Sequence, residues 1–420
     1  MTECISDREE RVAQSEPRNL FALAVHHILL RVGWVFKTES VIMPAFLDFV
    51  STAGWLRGCL PILNRLGQSV ATLVFAERLR KAPRKRTSLF ATTWLMAVPF
   101  LVLSWLWNRF GETPGFWLAP VFLCLYVVFF CVTGLNQLSF GTLQGKLIRP
   151  TSRGRLMGLA GIPGSLLAMT LAWYLLREWL HRPNGGFDLI FGCTALGFIG
   201  SGFAVLLVRE EPDAASNEDT SRLSFRELAG TVKQDPGFQR LLIASMLFIS
   251  AQLLFPHYQA LGRNRPDYSP RDLMYWVIVQ NAGAGFFAWL AGRVADRRGN
   301  KLALQWEFLG AAGTPLVALL FGIFAPEMPF FWFTFFLLGT VPTAFRTFSN
   351  YVLELTSAEN HPRYLSILRV VMSLPLMLSP LIGWMIDLVG FVPVFVTISA
   401  LNCTGWLYSF RLVEPRDATL

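Results

Sequence analysis

Gly292-Arg293-Val294-Ala295-Asp296-Arg297-Arg298-Gly299-Asn300-Lys301 packs four cations and one carboxylate into a turn a few residues long, between two long apolar stretches. Flanks that apolar fit a bilayer better than water, and the rest of the chain agrees. Of its 420 residues 53% are hydrophobic and only 15% charged, and the mean hydropathy is +0.44, too apolar for a soluble globular protein. A helix needs about 20 mostly apolar residues to cross the hydrocarbon core. Twelve such stretches can be marked, beginning near Leu20, Ala53, Ser88, Phe116, Leu156, Leu189, Leu241, Leu273, Leu302, Phe330, Leu365 and Phe391.

The turn's pattern, Gly-x-x-x-Asp-Arg-x-Gly-x-Lys/Arg, resembles the signature loop of the major facilitator superfamily of secondary transporters. Gly292, Asp296, Arg297, Gly299 and Lys301 stand at the matching positions, and Pro380 to Phe391 is similar to the end of span eleven in that family. The resemblance implies an all-α polytopic membrane protein, with 12 transmembrane helices in two six-helix bundles. It also implies a transporter rather than an enzyme, alternating access, a central cavity lined by the first, fourth, seventh and tenth helices, and no cofactor or metal.

Glycines at 292 and 299 are expected to permit close helix approach and a sharp reversal. Asp296 is expected to meet a neighbouring helix N-terminus or an adjacent Arg, as a latch that forms and breaks with the access change. The first-half copy has Leu73 and Arg80 where Gly292 and Gly299 stand, and keeps the acid and cation as Glu77 and Arg78. The latch is therefore expected to depend more on Asp296 than on Glu77.

The boundaries follow from polarity. A tail at 1–19 precedes a six-span half at 20–208; a polar segment at 209–239 leads to a second six-span half at 240–410 and a tail at 411–420. Ser224-Phe225-Arg226-Glu227 in the middle segment reads as a capping box opening a short surface helix. The halves echo one another: Met43-Pro44-Ala45-Phe46 late in span one parallels Phe255-Pro256-His257-Tyr258 late in span seven, as expected of transporter repeats.

The net charge of +9 does not signal a nucleic-acid partner, because the basic residues are confined to particular turns. Their bias to one set of turns places both termini in the cytoplasm of a plasma (inner) membrane. The first span serves as the insertion signal. Five cysteines, Cys59, Cys124, Cys131, Cys193 and Cys403, lie in apolar spans without metal-ligand spacing and read as small buried fillers. Trp107, Trp117, Trp179 and Trp332 fall where interfacial belts are expected, and Gly158, Gly161 and Gly164 read as a close-packing seam.

Ionisable groups inside spans cost about 2.5 to 3.5 kcal/mol each on insertion scales, so each is a candidate for function. The lining helices that the resemblance implies carry Arg31, Lys37, Asn136, Gln137, Gln252, His257, Arg346 and Asn350, which with Arg65 are the candidate solute contacts. A polar, net positive lining favours an anionic or zwitterionic small solute, with Arg31 and Arg346 leading. Internal ion pairs of Arg31, Lys37 and Arg65 with Glu39 or Glu307 are the competing reading. Glu39, Glu307, His26 and His27 are the candidates for proton coupling, Glu39 first. A ligand sensor on the same fold and, from another class, a membrane-embedded enzyme with His26, His27 or His361 as base are the alternatives. Besides the solute, the expected partner is membrane lipid, and the chain is expected to be a monomer.

Overall fold

A computed structural model describes residues 2–212, 225–357 and 360–414, which form helices and turns with no strand among them. In chain order the helices are α1 Thr2–Phe36, α2 Ile42–Val50, α3 Gly54–Lys81, α4 Lys85–Phe110, α5 Leu118–Leu147, α6 Pro150–Leu171, the single turn α7 Arg177–Trp179, α8 Phe187–Val205 and α9 Phe225–Gln234. The second half continues with α10 Pro236–Ile249, α11 Phe255–Arg263, α12 Pro270–Arg298, α13 Asn300–Leu319, α14 Trp332–Leu338, α15 Thr340–Leu355, α16 His361–Ser373, α17 Ser379–Val389 and α18 Phe391–Ser409.

Ten described segments are long and apolar enough to cross a bilayer. The second and tenth expected spans are helical but stand outside that set. α3 carries Arg57, Asn64, Arg65 and Gln68, and the tenth is broken at Gly339 into pieces of 7 and 16 residues. Breaks elsewhere have local causes. Spans one and seven stop short and restart as nine-residue helices with a proline in the first turn, Pro44 in α2 and Pro256 in α11. A proline there gives up an N–H that has no intrahelical partner anyway.

Contacts divide the chain into two compact units, 1–38 with 63–218 and 39–62 with 219–420. In the first, α8 packs on α4 and α1, α4 on α5, and α1 on α6; in the second, α18 packs on α13 and α10, α13 on α15, and α10 on α16. The pairings match helix for helix, which is the internal repeat hinted at by the two Pro-containing breaks. Residues 39–62 group with the second unit although they lie in the first half of the sequence, so α3 changes unit partway along its length.

Several expectations need correcting. Trp107 is buried and donates its indole N–H to the Asn184 carbonyl at 2.9 Å, so it is a core residue, not a belt residue. A Cβ on Gly158 or Gly161 would meet nothing within 4 Å; only Gly164 stands at a close approach, to Ile28 of α1. Cys124 and Cys403 are exposed on their helices instead of filling the core. α9 forms where a surface helix was expected, while Ser224 of its capping box lies outside the described residues.

Candidate functional site

In the first unit a cavity of about 290 Å³ opens between α1, α4 and α5. His27, Leu30, Arg31 and Trp34 come from one face of α1, Thr133, Asn136, Gln137 and Phe140 from one face of α5, and Met96 from α4. Both sets recur at three- and four-residue steps, the spacing that stacks side chains along one side of a helix. Asn136 is fixed in place, its Nδ2 donating to the Thr93 and Thr92 hydroxyls at 2.7 and 3.2 Å. Those hydroxyls donate in turn to Leu89 and Ser88 carbonyls, so Oδ1 is the Asn136 atom left to offer a ligand.

His26 also lines the cavity, from a position fully buried against α8. The Ser201 hydroxyl donates to the His26 carbonyl at 2.8 Å, so its oxygen and the Ser201 carbonyl are both acceptors facing the ring. Nδ1 therefore carries the hydrogen, and Nε2, which has no partner among the described residues, is a bare acceptor.

Lys37 sits at the end of α1, 1% exposed, with its ammonium 4.2 to 5.7 Å from the ring centres of Trp34, Phe130, Phe129 and Tyr126. That aromatic enclosure ties α1 to α5 through cation–π attraction and keeps Lys37 out of the cavity lining. Arg65, half-buried on α3, is also absent from the lining.

The remaining candidates are in the second unit. Gln252 and His257 are buried in the interrupted seventh span, whereas Arg346 and Asn350 share the exposed face of α15. The opposite face carries Thr343 and Thr347, whose hydroxyls donate to Oε1 of the buried Glu307 at 3.0 and 2.9 Å. Oε2 of Glu307 has no hydrogen-bond partner among the described residues. Glu39 is half-buried just past α1. Of the nine expected solute contacts, the structure thus brings together Arg31, Asn136 and Gln137. Trp34, Thr133 and Phe140 were missed, although each lies three or four residues from one of those three.

Asp48 was missed altogether. It is buried on α2, hydrogen-bonded to Nη1 of the buried Arg57, with Nη1 of Arg263 at 3.6 Å. Nearby, Oδ2 of Asp387 on α17 accepts the Gly54 N–H that opens α3, at 2.7 Å, and the Ser40 hydroxyl donates to Oε1 of Gln280. All of these residues are in the second unit.

The charged turn is built differently from the expectation. Gly292 is exposed and a Cβ there would meet nothing within 4 Å, so no close approach depends on it. Gly299 carries the constraint: φ is +90 and ψ 164, and an added Cβ would overlap the Glu414 carboxylate. Glu414 follows α18 and accepts the Lys301 N–H at 3.0 Å, while Lys301 Nζ reaches the Phe410 carbonyl at 3.3 Å. Glu414 is thus an acid on the α13 N-terminus, where the helix dipole favours negative charge, and Asp296 is exposed in the last turn of α12.

The first unit repeats the device. Glu210, just past α8, accepts the Lys85 and Arg86 N–H groups at the start of α4 at 2.9 and 2.7 Å and pairs with Lys146 at 2.9 Å. Asn19 holds that segment by exchanging two hydrogen bonds with the Arg209 backbone. The side chains of Leu73, Glu77 and Arg78 lie outside the described residues. Gly299→Ala should destabilise the protein by about 1–3 kcal/mol, since that backbone region is open essentially to glycine alone. Thermal unfolding in detergent measures it, and a wild-type midpoint would refute it.

The sequence model described as Major Facilitator Superfamily matches residues 38–345. An uncharacterized protein of Mycobacterium tuberculosis, Rv2209, is 24% identical over 308 residues, 71% of this chain and 57% of that protein, and one of Mycobacterium bovis, Mb2232, matches equally. The chain thus spans little more than half the length of these curated relatives. Among solved structures it is similar to the peptide transporter POT in complex with sulfate (14% identity, TM-score 0.69, 96% of this chain and 99% of that one). A mutant of the nucleoside transporter NupG (10%, 0.71, 94% and 100%) and one of the Escherichia coli fucose:proton symporter FucP (12%, 0.61, 95% and 100%) are similar too. At such identities the likeness is one of fold.

Proposed function

The chain belongs to the Major Facilitator Superfamily and is an integral, multi-pass membrane protein; from that premise we propose that it is a secondary transporter moving a small anionic or zwitterionic solute by alternating access. The cavity between α1, α4 and α5 carries the solute reading. Arg31 lines it together with the fixed amide of Asn136 and with Gln137. Arginine suits the planar carboxylate or phosphate of such a solute.

A thermal-shift screen of small organic anions on the purified protein, followed by counterflow in vesicles, tests this. Arg31→Ala should weaken binding about tenfold to a hundredfold, the worth of a hydrogen bond to a charged group. Unchanged affinity would sink the proposal, and binding without counterflow would make the protein a sensor.

Glu307 is the proposed proton carrier in place of Glu39. It is buried, has hydroxyl donors on one oxygen only, and has no described cation paired with it. His26 suits the role less, because its ring is pinned to Ser201. Glu307→Gln should keep solute exchange and lose accumulation driven by a pH gradient. Gradient-driven uptake that survives the change would remove Glu307 from the mechanism. The charge bias of the turns supports a cytoplasmic position for both termini.

A further inference from the structure

The rings around Arg31 narrow the solute further, on the premise that this cavity is the solute site. We propose that the solute is a single-ring aromatic anion, its ring held among side-chain rings and its acidic group on Arg31.

Four of the ten lining residues are aromatic: His26, His27, Trp34 and Phe140. They are braced in fixed mutual orientation. The His27 and Phe140 rings meet edge to face at 4.3 Å and 82°, and the His26 ring runs nearly parallel to that of Phe140 at 6.1 Å and 18°. Trp34 is held from outside the cavity, by the Lys37 ammonium at 4.2 Å and the edge of Phe129 at 5.8 Å. A wall of rings ordered before the ligand arrives loses little freedom on binding, and ring pairs in offset or edge-to-face geometry attract beyond their buried area.

Beside the rings and Arg31 the lining presents acceptors: Nε2 of His26 and of His27 has no hydrogen-bond partner among the described residues, and Asn136, its donors spent on Thr92 and Thr93, offers Oδ1. The volume of about 290 Å³ lies at the lower edge of ligand sites, which begin near 300 Å³, enough for one ring and an acidic group.

The test compares benzoate with cyclohexanecarboxylate, two acids of equal charge and similar size, one planar and one puckered. Binding is measured by thermal shift and titration on the full-length protein in detergent. The expected result is benzoate tighter by about fivefold or more, the worth of one good ring pair. Phe140→Leu should erase the preference and leave both acids bound, and Arg31→Ala should weaken both alike. Equal affinity of the wild type for the two acids, with both lost in Arg31→Ala, would overturn the ring proposal and leave the site standing. Binding of neither acid would overturn both. The wild-type comparison decides the matter even if Phe140→Leu does not fold.

Discussion

Gly383→Val should cut transport about fivefold or more while leaving a folded, membrane-inserted protein. Gly383 on α17 lies against the backbone of Gly54, and a Cβ at 383 would overlap the Gly54 carbonyl oxygen. Gly58 stands one turn further along α3, against the backbone of Ser379 and Pro380. Small residues at two successive turns let the helices meet backbone to backbone. The obstruction would be backbone, not a flexible side chain, so it is not relieved by a rotamer change, and overpacking of this kind costs about 1–3 kcal/mol. We expect this seam to form in one access state only, and a bias of that size then moves the population about five- to 150-fold. Counterflow in vesicles, together with thiol labelling of Thr52→Cys in a cysteine-free background, would read the loss and the opening. Transport at the wild-type rate would show that this seam need not form.

Arg57→Ala should destabilise the protein by about 3–5 kcal/mol, the range for removing one partner of a buried ion pair. Both side chains are almost wholly buried, at 7% and 4% exposure. Arg263 is a poor replacement: its side chain is 40% exposed and its Nη1 stands 3.6 Å from Asp48. The double change Asp48→Leu with Arg57→Met should recover much of the loss, because it leaves no stranded charge. Unfolding midpoints of the single and double variants decide it. A single variant as stable as the wild type would mean that water or Arg263 already satisfies Asp48.

The architecture was legible because it depends on quantities a sequence displays: lengths of apolar runs, the polar break after residue 208, and a charged turn at a fixed place. Arg31 was legible as a costly group in a span, and Asn136 and Gln137 as polar residues of a helix that the family resemblance assigns to the cavity. The rest of the site was not, because membership in a lining helix says nothing about which face of it meets a cavity. Lys37 and Arg31 lie six residues apart on one helix, yet one is enclosed by rings and the other lines the cavity. Arg346 is likewise on the face of α15 opposite Glu307. Gly292 and Gly299 carry the same letter in the same motif, and only the second has a backbone, at φ +90, that requires it. The acid seated beside it, Glu414, comes from more than a hundred residues away, beyond the reach of any local pattern.

Glu414 also bears on how the gene is handled. A designer trimming the polypeptide at residue 410, or fusing a fluorescent reporter directly there, would discard the carboxylate that seats α13 and the Val413 carbonyl that receives the Tyr351 hydroxyl. The matching cut in the first half, before Glu210, would do the same to α4. Expression vectors for this protein should place their junctions after residue 414. Two-piece versions should be split within 213–224, so that each fragment leaves the ribosome with its own clasp attached.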